Sequence, residues 1–501
     1  MEEYTYPVDR PERTVPHAGT ARVEVRPRVT RQTILGMGFE IQSDSIASGN
    51  NGLPDDTTSV PHDLTRSERD RLAEQMLRGF RYCRIAGGLY WRGVGSDGRT
   101  LAPRWPEQLL EIRELLTRAR VDGVSLENWS PPAYWKANRR LHGFPHGGPK
   151  DPENRLRCFG SHWKDDTEYR GDTERFLSDF ARANVADIAT LEAAGIPVSM
   201  WALNNEPNVN TPYSSCHYEP DEWARTFAAV APEVRAAYPD VSIIGDCADH
   251  TARYLHRFET LYPQLVHLVD FTVLHTIGYR SDTVVPMVRE VRAKLAKNRP
   301  IFQNEYEYLT DPASADRCLN IVNNIMNWFQ LADAPSWFWI HALKPVTNSE
   351  ASGYSLGYWM PAVGIPDDLR DTLPAALADL QPGTWTWNPH NWNAVAGFIR
   401  HLPWDSVVVE VHEETPDSDA RVLAFRRPDG RLTIVASNHT GADLSVAIDS
   451  GRRTGVFRGY RYTPDDAGHA AMGVAIGTSS GPRWTSTLPD RSWEFWVEDL
   501  Q

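Results

Sequence analysis

The sequence predicts an α/β protein, a (β/α)8 TIM barrel carrying a side β-sandwich. Three observations predict it. The 501 residues exceed one ordinary compact domain, but suit a barrel of typically about 250 residues, or more with insertions, plus a smaller domain. From residue 36 to about 400, short apolar segments alternate with amphipathic helical ones, the pattern of βα units around a parallel sheet. After about residue 405, strand-like segments follow one another with no helix between them.

The elements follow in order. Residues 1–19 are polar and contain several prolines, and read as an arm. Residues 20–35 alternate like a strand given to the sandwich, and end at a glycine turn, Gly36 and Gly38. The barrel then occupies 36–402. Its strand candidates are 36–41, 81–86, 124–129, 198–204, 241–245, 270–275, 301–305 and 336–340, eight in all. Thr65 and Glu68 form a capping box before one helix, with Gly79 at its C-terminal end. Leu109, Ile112 and Leu116 mark a second helix by its apolar stripe. Phe176, Phe180, Ala183, Ile188 and Leu191 mark a third, closed by Gly195. The sandwich takes 403–501, with strands at SVVVEVHEE, ARVLAFRR, RLTIVASN, LSVAIDS and TGVFRGYRY and a hairpin turn at Pro428-Asp-Gly430.

Composition narrows the function classes. A net charge of −14 argues against nucleic acid as a partner. No run approaches the roughly 18 apolar residues of a membrane span. The N-terminal residues contain no apolar core of a signal peptide, so the expected location is cytoplasmic, or secreted if a signal preceded them. Five cysteines with no CxxC pair suggest neither a zinc site nor a disulfide framework. Eighteen tryptophans are unusual; they pack cores, and they also suit the faces and hydroxyl rims of sugars.

Two acidic positions end apolar strands, where βα loops build the active face of a barrel. The first is Glu206 in Val198-Ser-Met-Trp-Ala-Leu-Asn-Asn205-Glu206-Pro207. The second lies in Arg299-Pro-Ile-Phe-Gln-Asn-Glu305-Tyr-Glu307, where alternation puts Glu305 and Glu307 on one face and spacing does not choose between them. Counting strands places these acids on strands four and seven, facing across the barrel mouth. Glycoside hydrolysis requires such a pair: one acid protonates the leaving oxygen, and the other attacks the anomeric carbon or activates water.

With these motifs the chain resembles a clan A glycoside hydrolase, and within the clan it is most similar to family 30. The resemblance rests on Asn205-Glu206-Pro207, the turn Gly36-Met-Gly38-Phe, the strand-three motif Trp129-Ser-Pro-Pro132-Ala-Tyr-Trp-Lys136, and Leu488-Pro-Asp-Arg-Ser492 before the final strand. It covers residue 20 to the end. It implies Glu206 as acid/base and Glu305 as nucleophile. Asn304 stands where the family has Ser or Thr before that acid. The resemblance further implies that Asn205 bonds the substrate 2-hydroxyl, that Arg84 keeps the nucleophile ionised, and that Trp129 and the strand-six His275 belong to the site. Trp339 is implied as an aromatic floor, although Trp337 shares its alternation. Glu40 departs from the family's small residue; it either binds a sugar hydroxyl or caps a loop.

The expected activity is therefore retaining hydrolysis of a β-glycosidic bond in an oligosaccharide, polysaccharide or glycoconjugate, with no metal and no organic cofactor. The rival readings are another clan A activity, such as a β-glucuronidase-like one, and an inactive barrel that binds glycans. Two aromatic-bearing insertions, at 136–171 with Trp163 and after strand eight with Tyr354, Tyr358, Trp359, Trp385, Trp387 and Trp392, read either as sugar platforms or as satellite core.

Overall fold

The computed structural model describes residues 20–41, 64–87, 93–103, 105–145, 147–248, 251–276, 281–306, 313–348, 351–362, 364–413, 420–465 and 473–499. The expected arm at 1–19 and Glu307 lie outside these residues.

Eight parallel strands close a barrel in chain order, the eighth hydrogen-bonded to both the first and the seventh. They are Gly36–Ile41, Tyr82–Gly87, Gly123–Asn128, Val198–Ala202, Ser242–Ala248, Phe271–His275, Ile301–Tyr306 and Ser336–Trp339. Most of their residues are buried, which explains why they read as continuous apolar runs rather than clean alternation. Gly38 is required by shape: a Cβ there would lie 2.5 Å from the ring of Phe338. That ring stacks on Tyr82 and leans on Phe302, and so fills the barrel interior.

Helices follow the strands as the stripes predicted. Thr65 caps Arg66–Leu72 by accepting from the Glu68 N–H at 3.4 Å. The reciprocal half of the box does not form, because the Thr65 N–H already donates to the Gly383 carbonyl. The Glu68 carboxylate accepts from Arg71 instead, at 2.6 Å, and the helix ends in a wider turn, Ala73–Leu77, before Gly79. The stripes on Gln108–Ala119 and Thr173–Ala193 are buried.

Beyond the barrel, nine strands form one folded sheet. The long strand Thr20–Ile34 joins its halves, pairing antiparallel with Ser406–Glu413 and parallel with Leu444–Asp449. Val23, Val25, Val409, Ile434, Val446, Phe457 and Trp496 fill the space between the halves. The hairpin at Pro428–Gly430 forms, with Gly430 at φ +80°. Two strands, Val474–Ser480 and Arg483–Leu488, were not anticipated; their residues are mostly exposed and show no apolar period. The other face of the sheet packs on the barrel helices, Phe425 against Phe329 and Phe495 against Phe398.

Candidate active site

The fourth barrel strand delivers Asn205 and Glu206. The Asn205 N–H donates to the Asn128 carbonyl at 2.7 Å and the Glu206 N–H to the Cys247 carbonyl at 2.6 Å, tying the segment to the strands on either side. Glu206 itself is held at φ +42°, a conformation that costs a non-glycine residue of order 1–3 kcal/mol and that clusters at functional sites. The seventh strand delivers Glu305, with Gln303 bonded to its backbone carbonyl at 2.9 Å.

Arg84, on the second strand, is the centre of the cluster. Its Nη1 donates to Glu305 Oε2 and to Glu40 Oε2. Its Nη2 donates to Asn205 Oδ1 at 2.5 Å and to Glu127 Oε2 at 2.7 Å. Burial alone would pull the guanidinium pKa down. The charges of Glu127, Glu40 and Glu305 outweigh it and hold the pKa well above the ordinary arginine value. Because Asn205 accepts from Arg84 through its oxygen, its amide N–H2 points its donor capacity elsewhere.

His275, ending the sixth strand, bridges the two acids. Its Nδ1 lies 2.9 Å from Glu206 Oε1 and 3.6 Å from Glu305 Oε2. One carboxylate oxygen from each glutamate and a ring nitrogen of His275 all lie within 4.8 Å of one another. Among the described residues this is the single group of such donors close enough to share an ion, and Arg84 already provides Glu305 with a positive partner. The two acids differ in access: the Glu206 side chain keeps 18% of its surface exposed, Glu305 only 4%. Glu305 anchors Oε2 on Arg84, and no hydrogen bond among the described residues engages its Oε1.

Of the residues singled out in the sequence, Glu206, Glu305, Asn205, Arg84, His275 and Glu40 come together. Trp129 lies at their edge, with the Arg84 guanidinium 6.0 Å from its ring and Tyr213 packed against it at 5.7 Å. Glu40 is fully buried beneath Arg84 and so does not cap an exposed loop. Trp339 is not brought to the cluster. It is fully buried, donates its indole N–H to the Tyr354 carbonyl and packs on Tyr306 and Trp337, while Trp337 bonds Asn324 of the flanking helix. Strand alternation turns both indoles away from the interior that Phe338 occupies.

Glu127 is a neighbour of the cluster that the sequence did not single out, and Asn304, noted there only as a departure from the family pattern, is its partner. Glu127 accepts from Asn304 Nδ2 at 2.7 Å and Ser125 Oγ at 3.2 Å as well as from Arg84. The signal was present in Ser125, Glu127 and Trp129, which alternate onto one face of the third strand. The Asn at 304 thus has a partner that explains it. Most insertion aromatics are core: Trp163 packs on Tyr169 and Phe176, and Trp359, Trp385 and Trp392 are buried.

Residues 405–465 match the family model for the glycosyl hydrolase family 30 beta sandwich domain. The fold is shared with the catalytic domain of GH30 xylanase C from Talaromyces cellulolyticus, at a TM-score of 0.63 and 16% identity over 96% of this chain and 100% of that one. The endo-β-1,6-glucanase BT3312 aligns at a TM-score of 0.66 and 13% identity, over 97% and 95%. A GH51 arabinofuranosidase from Xanthomonas axonopodis pv. citri aligns almost as well, at 0.59 and 11% identity over 96% and 100%. Backbone likeness therefore does not separate families, and the likeness to family 30 in sequence lies in the sandwich segment. In that segment the chain is similar to glycoside hydrolase family 30. No curated protein matched it by sequence. The chain builds its sandwich from both N-terminal and C-terminal strands, and the matched segment spans five of them, Ser406–Glu413 through Val456–Tyr462, with the loops between.

Proposed function

We propose that this chain is a retaining glycoside hydrolase that cleaves a β-glycosidic bond by double displacement. Glu206 acts as acid/base and Glu305 as nucleophile. The observation that carries the reading is the close approach of the two carboxylates, with oxygens within 4.8 Å. Retaining enzymes place their carboxyl groups about 5–5.5 Å apart, whereas inverting ones need about 6.5–9.5 Å to admit a water.

The steps follow from the positions. Glu305 Oε1 attacks the anomeric carbon, and Arg84 holds the other oxygen. Glu206, the more solvent-open acid, gives its proton to the departing glycosidic oxygen. It then takes a proton from the water that attacks the glycosyl-enzyme. The Asn205 amide donates to the 2-hydroxyl, a bond that strengthens as the transition state forms. The Trp129 and Tyr213 rings offer an apolar wall beside that sugar.

The three solved proteins with this fold are named for a xylanase, a glucanase and an arabinofuranosidase, so the sugar is found by assay. A panel of aryl β-glycosides followed by polysaccharides identifies a substrate. Proton NMR early in that reaction then reads the first-formed anomer. The expected product has the substrate's own configuration; the opposite configuration would remove Glu305 from the nucleophile role.

A further inference from the structure

We infer that Glu40 and Glu127 are positioning residues that together hold the Arg84 guanidinium in the plane from which it reaches Glu305 and Asn205. The inference rests on the retaining reading above. A guanidinium carries two hydrogens on each Nη in a rigid fork. In Arg84 each Nη serves one residue of the reaction side and one buried acid behind it: Nη1 serves Glu305 and Glu40, Nη2 serves Asn205 and Glu127. Rotating the fork away from Glu305 therefore breaks the bonds to both rear acids as well.

Glu40 and Glu127 have no exposed surface, so they act through Arg84 rather than on substrate. Fold stability does not call for them. Barrel interiors are filled by apolar side chains, as the Tyr82, Phe302 and Phe338 layer shows, and a buried charge is costly unless paired. Glu127 is itself fixed from two further sides, by Asn304 and Ser125. The brace thus extends to strands one, three and seven, and the residue beside Glu305 is part of it.

The test uses the full chain and a 2-deoxy-2-fluoro aryl glycoside of the configuration it hydrolyses. Covalent labelling of Glu305 is followed by mass, giving the inactivation rate constant and Ki separately. Glu40→Leu, which keeps bulk and removes the acceptor, is expected to slow labelling about 100-fold, with Ki within about 3-fold. Glu40→Gln, whose amide oxygen still accepts, is expected to label at least tenfold faster than Glu40→Leu. If Glu40→Leu does not fold, Glu40→Asp replaces it: the shortened carboxylate keeps the charge and loses the reach, and must label more slowly than Glu40→Gln. Labelling of Glu40→Leu at the wild-type rate overturns the inference. So does equal slowing in the Leu and Gln variants, or Asp equalling Gln. A wild-type chain that cleaves glycosides but never labels overturns the retaining reading, and the inference with it.

Discussion

His275 concentrates the electrostatics of the site in one ring. Burial opposes its imidazolium form, but the charge of Glu305 and then the hydrogen bond and charge of Glu206 outweigh burial, and its pKa is raised. A group with a raised folded pKa contributes stability that is fully present below its unfolded value of about 6.5 and is lost as pH rises through the folded value. His275→Gln should therefore lower the melting temperature more at pH 6 than at pH 9. A deficit that is constant, or that grows with pH, would contradict this electrostatic account. At this scale much was legible. Glu206 and Glu305 announced themselves as polar letters closing apolar strands, and Arg84 as a charge inside one. Glu127 was hidden by its own strand, because a buried acid looks like any other polar residue until its partners from other strands are known.

At the scale of elements, periodicity located all eight barrel strands and three of the helices, because burial on one or both faces writes itself into hydrophobic spacing. It did not resolve alternatives that depend on a neighbour. The capping box at Thr65 is half-formed because Gly383, over 300 residues away, reached the Thr65 N–H first. Gly38 is likewise explained by the eighth strand. Gly38→Ala would press a methyl into the Phe338 ring, and overpacking of this kind typically costs about 1–3 kcal/mol. Chemical denaturation should show that loss, and the double variant Gly38→Ala/Phe338→Leu should recover part of it. If the single variant is as stable as the parent, the close approach of these two strands is wrong.

Across the whole molecule, the barrel core continues into the barrel-facing side of the sandwich sheet, which keeps a second core between its halves, and buried polar bonds join the two parts. Arg421 of the sandwich donates to Gln330 of the barrel helix Ala315–Gln330 at 2.8 Å, and Ser437 to Asn323 at 2.7 Å. Gly397, on the helix Pro389–His401, lets Phe495 approach so closely that a Cβ would lie 2.1 Å from its ring. The two parts should accordingly unfold in one calorimetric transition. Gly397→Val should lower that transition, and pairing it with Phe495→Ala should restore part of the loss. Two resolved transitions in the parent chain would show that the contact does not couple them.

By itself the sequence determined the barrel, the added sandwich with its N-terminal strand, and the acids on strands four and seven. Those features depend on local periodicity and on residues at strand ends, and both are readable along a single chain. Only the tertiary structure decided that the carboxylates approach within 4.8 Å, that Glu40 lies behind Arg84 and Trp339 away from it, and that most insertion tryptophans are core. The physical reason is that a side chain's environment in a closed barrel is supplied by strands far apart in the chain. Alternation says which way a residue points, and only the assembled neighbours determine what it meets there.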